Sequence, residues 1–184
     1  MYLYFEDDGA FKAGTVLSQA GSAYQVELTT GRRSKIKASH VFFSFESPSA
    51  SELIARIPEA AAELDPAFLW EAAPKEEFSY LDLAQEYWGE NPGPVEKAAL
   101  ITTLHANPVY FYRKGRGVYR KAPEDILQKA LEALERRRRQ EEQKKAWIEE
   151  MVEGKLPEAI GRQALMLLVA PDRNSIEWKA LSDA

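Results

Sequence analysis

Residues 78–122 read FSYLDLAQEYWGENPGPVEKAALITTLHANPVYFYRKGRGVYRKA. Phe78, Leu81, Ala84 and Tyr87–Trp88 recur at helical spacing, Ser79 is a candidate cap, and Gly89 ends the run. Asn91-Pro92-Gly93-Pro94 is a tight turn, and Pro94 suits the first turn of a second helix whose apolar stripe is Val95, Ala98–Ala99, Thr102 and Leu104. Asn107-Pro108 stops that helix. Two aromatic runs then flank Lys114-Gly115-Arg116-Gly117, the pattern of a β-hairpin. Helix, turn, helix and basic hairpin is the order of a winged helix-turn-helix, which we place over residues 47–122.

On the N-terminal side, residues 1–46 have strand character. Tyr2-Leu3-Tyr4-Phe5 is aromatic, Tyr24, Val26 and Leu28 alternate with polar residues, and Val41-Phe42-Phe43-Ser44-Phe45 closes the run. Turn residues at Asp8-Gly9, Gly21 and Gly31 predict four or five short antiparallel strands, a small SH3-like β-barrel. Ser47-Pro48-Ser49-Ala50-Ser51 is a linker that also starts a helix running to Leu64, with Pro58 expected to interrupt or kink it. A short helix is expected over Ala67–Ala72.

On the C-terminal side, residues 123–184 form the third segment. A long helix starts at Pro123 with Leu127, Ala130, Leu131 and Leu134 as its stripe, turns polar from Glu135 to Lys145, and becomes apolar again at Trp147, Ile148 and Met151. That pattern predicts a spacer with nothing packed on its middle, followed by C-terminal helices from Pro157. The fold class is therefore α+β: a small N-terminal antiparallel β-barrel, a winged helix-turn-helix, a long spacer helix and C-terminal helices. The uncapped end at Ala184 suggests continuation into a further domain.

Charge is uneven. Residues 47–108 carry three basic against eleven acidic groups, whereas residues 109–145 carry twelve against six, within a net of −5. The basic excess points to one place where a polyanion docks. Two clusters have nucleic-acid chemistry. In the hairpin, Arg113, Lys114, Arg116, Arg120 and Lys121 can reach phosphates, and Tyr112 can stack on an unpaired base. In the barrel, Arg32, Arg33, Lys35 and Lys37 lie within six residues, with Lys35 and Lys37 on one face. Arg136-Arg137-Arg138-Arg139 is the weaker case, because acids stand at three- and four-residue spacing around it.

No catalytic constellation is visible: no Walker loop, no dinucleotide glycine motif, no nucleophile elbow. The chain lacks cysteine and has two histidines, His40 and His105, each read as a packing or surface residue. Asp7-Asp8-Gly9 reads as turn chemistry rather than a metal dyad. The N-terminus lacks the basic region of a secretory signal and no apolar run has the length of a membrane span, so the expected location is cytoplasmic, with no membrane partner.

Two stretches carry a family resemblance. FKAGTVL, YQVEL and GRRSKIKASHVFFSFE (within residues 11–46) and SYLDLAQEYWGENPGPVEKAALITTLHANPVYFYRKGRGVYRKAPEDIL (residues 79–127) resemble the N-terminal region of bacterial ribonuclease II/ribonuclease R-type exoribonucleases of the RNB family that begin with a winged helix. The resemblance implies an accessory role: capturing single-stranded RNA and orienting it for the chain's own downstream catalytic domain, where Mg²⁺ held by an aspartate cluster serves 3′–5′ hydrolysis. No cofactor is expected in this chain. Asp65, Asp82, Asp125, Asp172 and Asp183 are scattered and do not match that cluster, so no catalytic residue is carried over. Two other readings stand beside this one: a DNA-binding winged-helix regulator and a structural protein-interaction scaffold. The second helix of residues 78–122 carries only Lys97 as a cation, which suits major-groove readout poorly.

Overall fold

The computed structural model describes residues 1–184, a mixed α+β chain whose residue contacts divide into two units, Met1–Pro123 and Glu124–Ala184. The first unit opens with five antiparallel strands: β1 (Tyr2–Asp7), β2 (Ala10–Ala20), β3 (Ala23–Leu28), β4 (Arg33–Lys37) and β5 (Val41–Phe45), in the spatial order β4-β3-β2-β1-β5. A single 3-10 turn, Ala38–His40, joins β4 to β5. The Asp8-Gly9 turn takes positive φ at both residues, 50° and 74°, as a tight two-residue hairpin loop requires.

Strand β1 is buried on both faces. Leu3 and Phe5 pack with Val26 and Ile36 on one side, while Tyr4 packs with Ala13 and Phe45 on the other. Period-two alternation explains the split, and the unbroken apolar run Tyr2-Leu3-Tyr4-Phe5 lets both faces be apolar. On the second face the sheet receives helices rather than water: Leu53, Ile57, Ala98 and Ile101 complete the same cluster.

These helices follow in order: α1 (Ala50–Ala62), α2 (Pro66–Ala72), the two-residue strand β6 (Phe78–Ser79), α3 (Tyr80–Trp88) and α4 (Pro94–Ala106). Ser49 and Glu52 form a capping box at the start of α1, and Ser79 and Asp82 form one at α3. Asp65 caps α2, accepting from the Ala67 amide at 2.8 Å. Pro58 neither ends nor interrupts α1; Leu53 and Ile57 are buried in the sheet-facing cluster and Ala60 and Ala61 pack on the next one, so tertiary contacts on both sides of the proline hold the helix together.

Strands β7 (Phe111–Gly115) and β8 (Val118–Lys121) form the hairpin, and β8 also pairs with β6, giving a small sheet ordered β6-β8-β7. Helix α4 lies between two cores. Ala98 and Ile101 belong to the cluster with β1, whereas Ala99, Leu100 and Leu104 pack with Leu83, Phe111 and Tyr119. Between Ala98 and Leu104 only Thr102 and Thr103 are polar, so this stretch presents apolar groups to both cores at once.

The second unit consists of α5 (Glu124–Val152), α6 (Glu158–Val169) and α7 (Ile176–Asp183). At 29 residues, α5 is about 44 Å long. Its apolar stripe fades early: Leu127 is buried, Leu131 half-buried and Leu134 48% exposed. Trp147, Ile148 and Met151 pack with Ile160, Leu167, Ala180 and Leu181. The expectation that nothing packs on residues 135–145 is corrected. Lys144 donates to Asp183 at 2.9 Å, and Ile176 shares a groove with Leu131, Glu135, Arg139 and Gln143. Helix α7, packed on the apolar end of α5, therefore also runs beside its polar middle, through an ion pair and a shared groove that an apolar-stripe reading does not register. No helix is long and apolar enough to cross a membrane.

Candidate nucleic-acid interface

The register of the hairpin sorts its residues into two faces. Phe111 pairs with Lys121 and Arg113 with Tyr119, while Tyr112 pairs with Arg120 on the opposite face. Phe111 and Tyr119 are buried, so the first set faces inward. Tyr112, Lys114 and Arg120 face outward, the two cations fully exposed and Tyr112 partly so.

The inward cations are committed to the protein itself. Arg113 makes a bidentate pair with Glu6, Nη1 to Oε1 at 2.9 Å and Nη2 to Oε2 at 2.5 Å. Arg116 reaches the same carboxylate at 3.4 Å and donates a second hydrogen bond to the Ser39 carbonyl. Glu6 is buried, and the Arg113 hydrogen bonds hold its carboxyl below the usual range against the opposing effect of burial. Lys121 donates to the Trp70 carbonyl at 3.1 Å with its ammonium 4.9 Å from the centre of the Trp70 ring, and the Trp70 indole donates to the Ala122 carbonyl at 2.8 Å. Arg113, Arg116 and Lys121, expected as phosphate ligands, thus act as struts.

The hairpin tip is fixed by a glycine. Gly117 has φ +68°, its carbonyl accepts from the Tyr80 amide at 2.8 Å, and a Cβ there would sit 2.8 Å from the Tyr80 ring. The Tyr80 hydroxyl in turn donates to the Phe42 carbonyl at 3.0 Å. Burial pushes the Tyr80 and Tyr119 phenols up to about 12.

The second cluster lies on β4, an edge strand. Ile36 is buried between Lys35 and Lys37, which places both lysines outside; Arg32 in the preceding turn is also exposed. Arg33 stands 3.9 Å from Glu27, a loose surface pair. Lysines on an edge strand also guard against edge-to-edge pairing, a structural role that needs no ligand. The two clusters lie about 80 residues apart in the chain, and their elements touch at one point, where the inward Arg116 at the hairpin tip bonds to the Ser39 carbonyl, two residues beyond Lys37. Tyr112, Lys114 and Arg120 on the hairpin and Arg32, Lys35 and Lys37 on and before β4 all belong to the first unit.

The remaining candidates behave differently. Arg138 pairs with Glu135 and Glu142, and Arg139 with Glu135, whose carboxyl the two arginines hold down at about 2. His40 shares a 3.2 Å hydrogen bond with the Glu6 carbonyl, and His105 stands edge-on to Phe11 with 5.0 Å between ring centres. No group of three or more His, Asp or Glu side chains is gathered as a metal site. Glu6 and Ser39 were not anticipated as organising residues. The available signal was an acid at the end of an otherwise aromatic buried strand, which demands a cationic partner. No protein family, curated protein or solved structure matches the chain.

Proposed function

We propose that the chain is a single-stranded RNA-binding module that captures RNA for a downstream Mg²⁺-dependent catalytic domain of the RNB exoribonuclease type, working in the cytoplasm. The reading treats the first unit as a small barrel joined to a winged helix. The strand order with a 3-10 turn before the last strand supports the former, and the order α2-β6-α3-α4-β7-β8 supports the latter. The observation that carries the functional reading is a pair of exposed basic surfaces on the first unit: Lys114 and Arg120 with Tyr112 on the outward hairpin face, and Lys35 and Lys37 on β4. Phosphates are met by Lys35, Lys37, Lys114 and Arg120, and a base stacks on Tyr112.

Burial of α4 disfavours the regulator. The helix that would enter a major groove is covered on one side by the five-stranded sheet and α1 and on the other by the hairpin core. The test is fluorescence anisotropy with single-stranded RNA and duplex DNA at two salt concentrations. Single-stranded RNA should bind more tightly, and replacing Lys35, Lys37, Lys114 and Arg120 by alanine should weaken it and lower the log–log salt slope by about 0.7 per lost contact. Unchanged binding in that variant, or preference for duplex DNA, overturns the reading.

A further inference from the structure

Helix α6 buries Ile160 and Leu167 against Trp147, Trp178 and their neighbours. Its other side is bare. Leu165, Met166, Leu168 and Val169 are between 67% and 77% exposed. Leu156 extends the same surface: its Cδ2 lies 3.3 Å from where a Cβ on Gly161 would stand, one turn before Leu165, and it is 63% exposed. Soluble monomers rarely leave a contiguous apolar patch of more than a few hundred Å² uncovered.

We propose that this face is a self-association surface, on which a second copy of the chain packs α6 against α6, antiparallel, about a two-fold axis near Leu165. Three observations favour a like partner. Leu156, Leu165, Met166, Leu168 and Val169 contribute several hundred Å² per copy, on the order of the ~800 Å² per partner of a standard interface. Next, the two charged residues of α6, Glu158 and Arg162, pair with each other, so the face is neutral and does not repel its copy. Finally, α6 has no basic residue in its last turn. An antiparallel crossing at Leu165 sets the partner's Arg162 beside that carbonyl end and opposes the two helix dipoles. An isologous contact satisfies both ends at once.

Sedimentation equilibrium on the full chain from about 1 to 100 µM tests this. The expected result is a concentration-dependent dimer of twice the 20.8 kDa chain mass. The double variant L165E/L168E should raise the dimer dissociation constant by about a hundredfold or more with an unchanged circular dichroism spectrum, because both positions are exposed. The chain has no cysteine, so L165C should oxidise cleanly to a covalent dimer, whereas L81C, exposed on α3, should not. A wild-type chain that stays monomeric throughout, or an L165E/L168E variant that dimerises normally, overturns the proposal.

Discussion

Arg113→Ala separates two meanings of a basic hairpin. The substitution deletes both hydrogen bonds of the bidentate pair and leaves the buried Glu6 carboxylate with Arg116 alone, at 3.4 Å. Removing one partner of a fully buried ion pair costs about 3–5 kcal/mol. Here the Glu6 side chain is 9% exposed but that of Arg113 is 36% exposed, so water screens the pair and the expected loss falls to roughly 2–3 kcal/mol. Glu6→Gln keeps the shape and one acceptor and should cost about 1–2 kcal/mol. The double variant should cost less than the sum, since each change alone strands the other partner. Urea denaturation followed by Trp70 and Trp88 fluorescence, with Trp147 and Trp178 replaced by phenylalanine in every variant compared, reads the first unit. The sign with pH follows from the lowered Glu6 pKa: the pair stabilises fully above the carboxylate's unfolded value of about 4.3 and is lost as pH falls through its lower folded value. The gap between wild type and Arg113→Ala should therefore begin to narrow below about pH 4.3 and close only once pH has fallen through the lower folded value. If Arg113→Ala changes stability by less than about 0.5 kcal/mol at neutral pH while RNA affinity collapses, Arg113 is a phosphate ligand and the strut reasoning fails.

Gly117→Ala should cost about 1–3 kcal/mol and more than Gly9→Ala, because both glycines have positive φ but only Gly117 faces an aromatic ring; equal losses by calorimetry would remove Tyr80 from the account. In an alkaline absorbance titration, Tyr4, Tyr80 and Tyr119, three of the eight tyrosines, should ionise late, near 12. Their folded pKa values exceed the unfolded value of about 10, so the stabilisation they carry is complete below that and disappears as pH rises toward 12. Incubated with end-labelled RNA, with or without Mg²⁺, the chain should release no nucleotides; metal-dependent release by material free of other nucleases would contradict its role as an accessory module.

Local signals were readable where the chemistry is local. Ser79 and Gly89 bracket α3, Pro94 and Asn107 bracket α4, and the Lys114–Gly117 turn marks the hairpin, because caps, prolines and glycines act within a few residues. The fate of each hairpin cation was not readable. Strand parity divides Tyr112, Lys114 and Arg120 from Arg113 and Lys121, but which face is inward depends on Glu6, 107 residues away, and on Trp70. The same limit hid the second burial face of α4. Val95, Ala98 and Leu104 look like one stripe, whereas Leu100 and Ile101 show their use only once sheet and hairpin close around the helix. For α5 the error ran the other way, since a polar stretch attracts α7 through Lys144 and Asp183.

The double-sided burial of β1 bears on how the protein is born. Its six residues are among the first off the ribosome; β2, Val26 and Ile36 follow soon after, but the second face waits for positions 42–45, 50–57 and 98–101, and the counter-charge for Glu6 comes only at 113. At about 5–20 residues per second, synthesis of the intervening 107 residues takes roughly 5–20 s. Throughout that interval the nascent chain carries a strand covered on one face only, with Glu6 lacking its arginine partners. Slowing translation anywhere between residues 46 and 113 should therefore lower the yield of folded protein more than slowing it after 123.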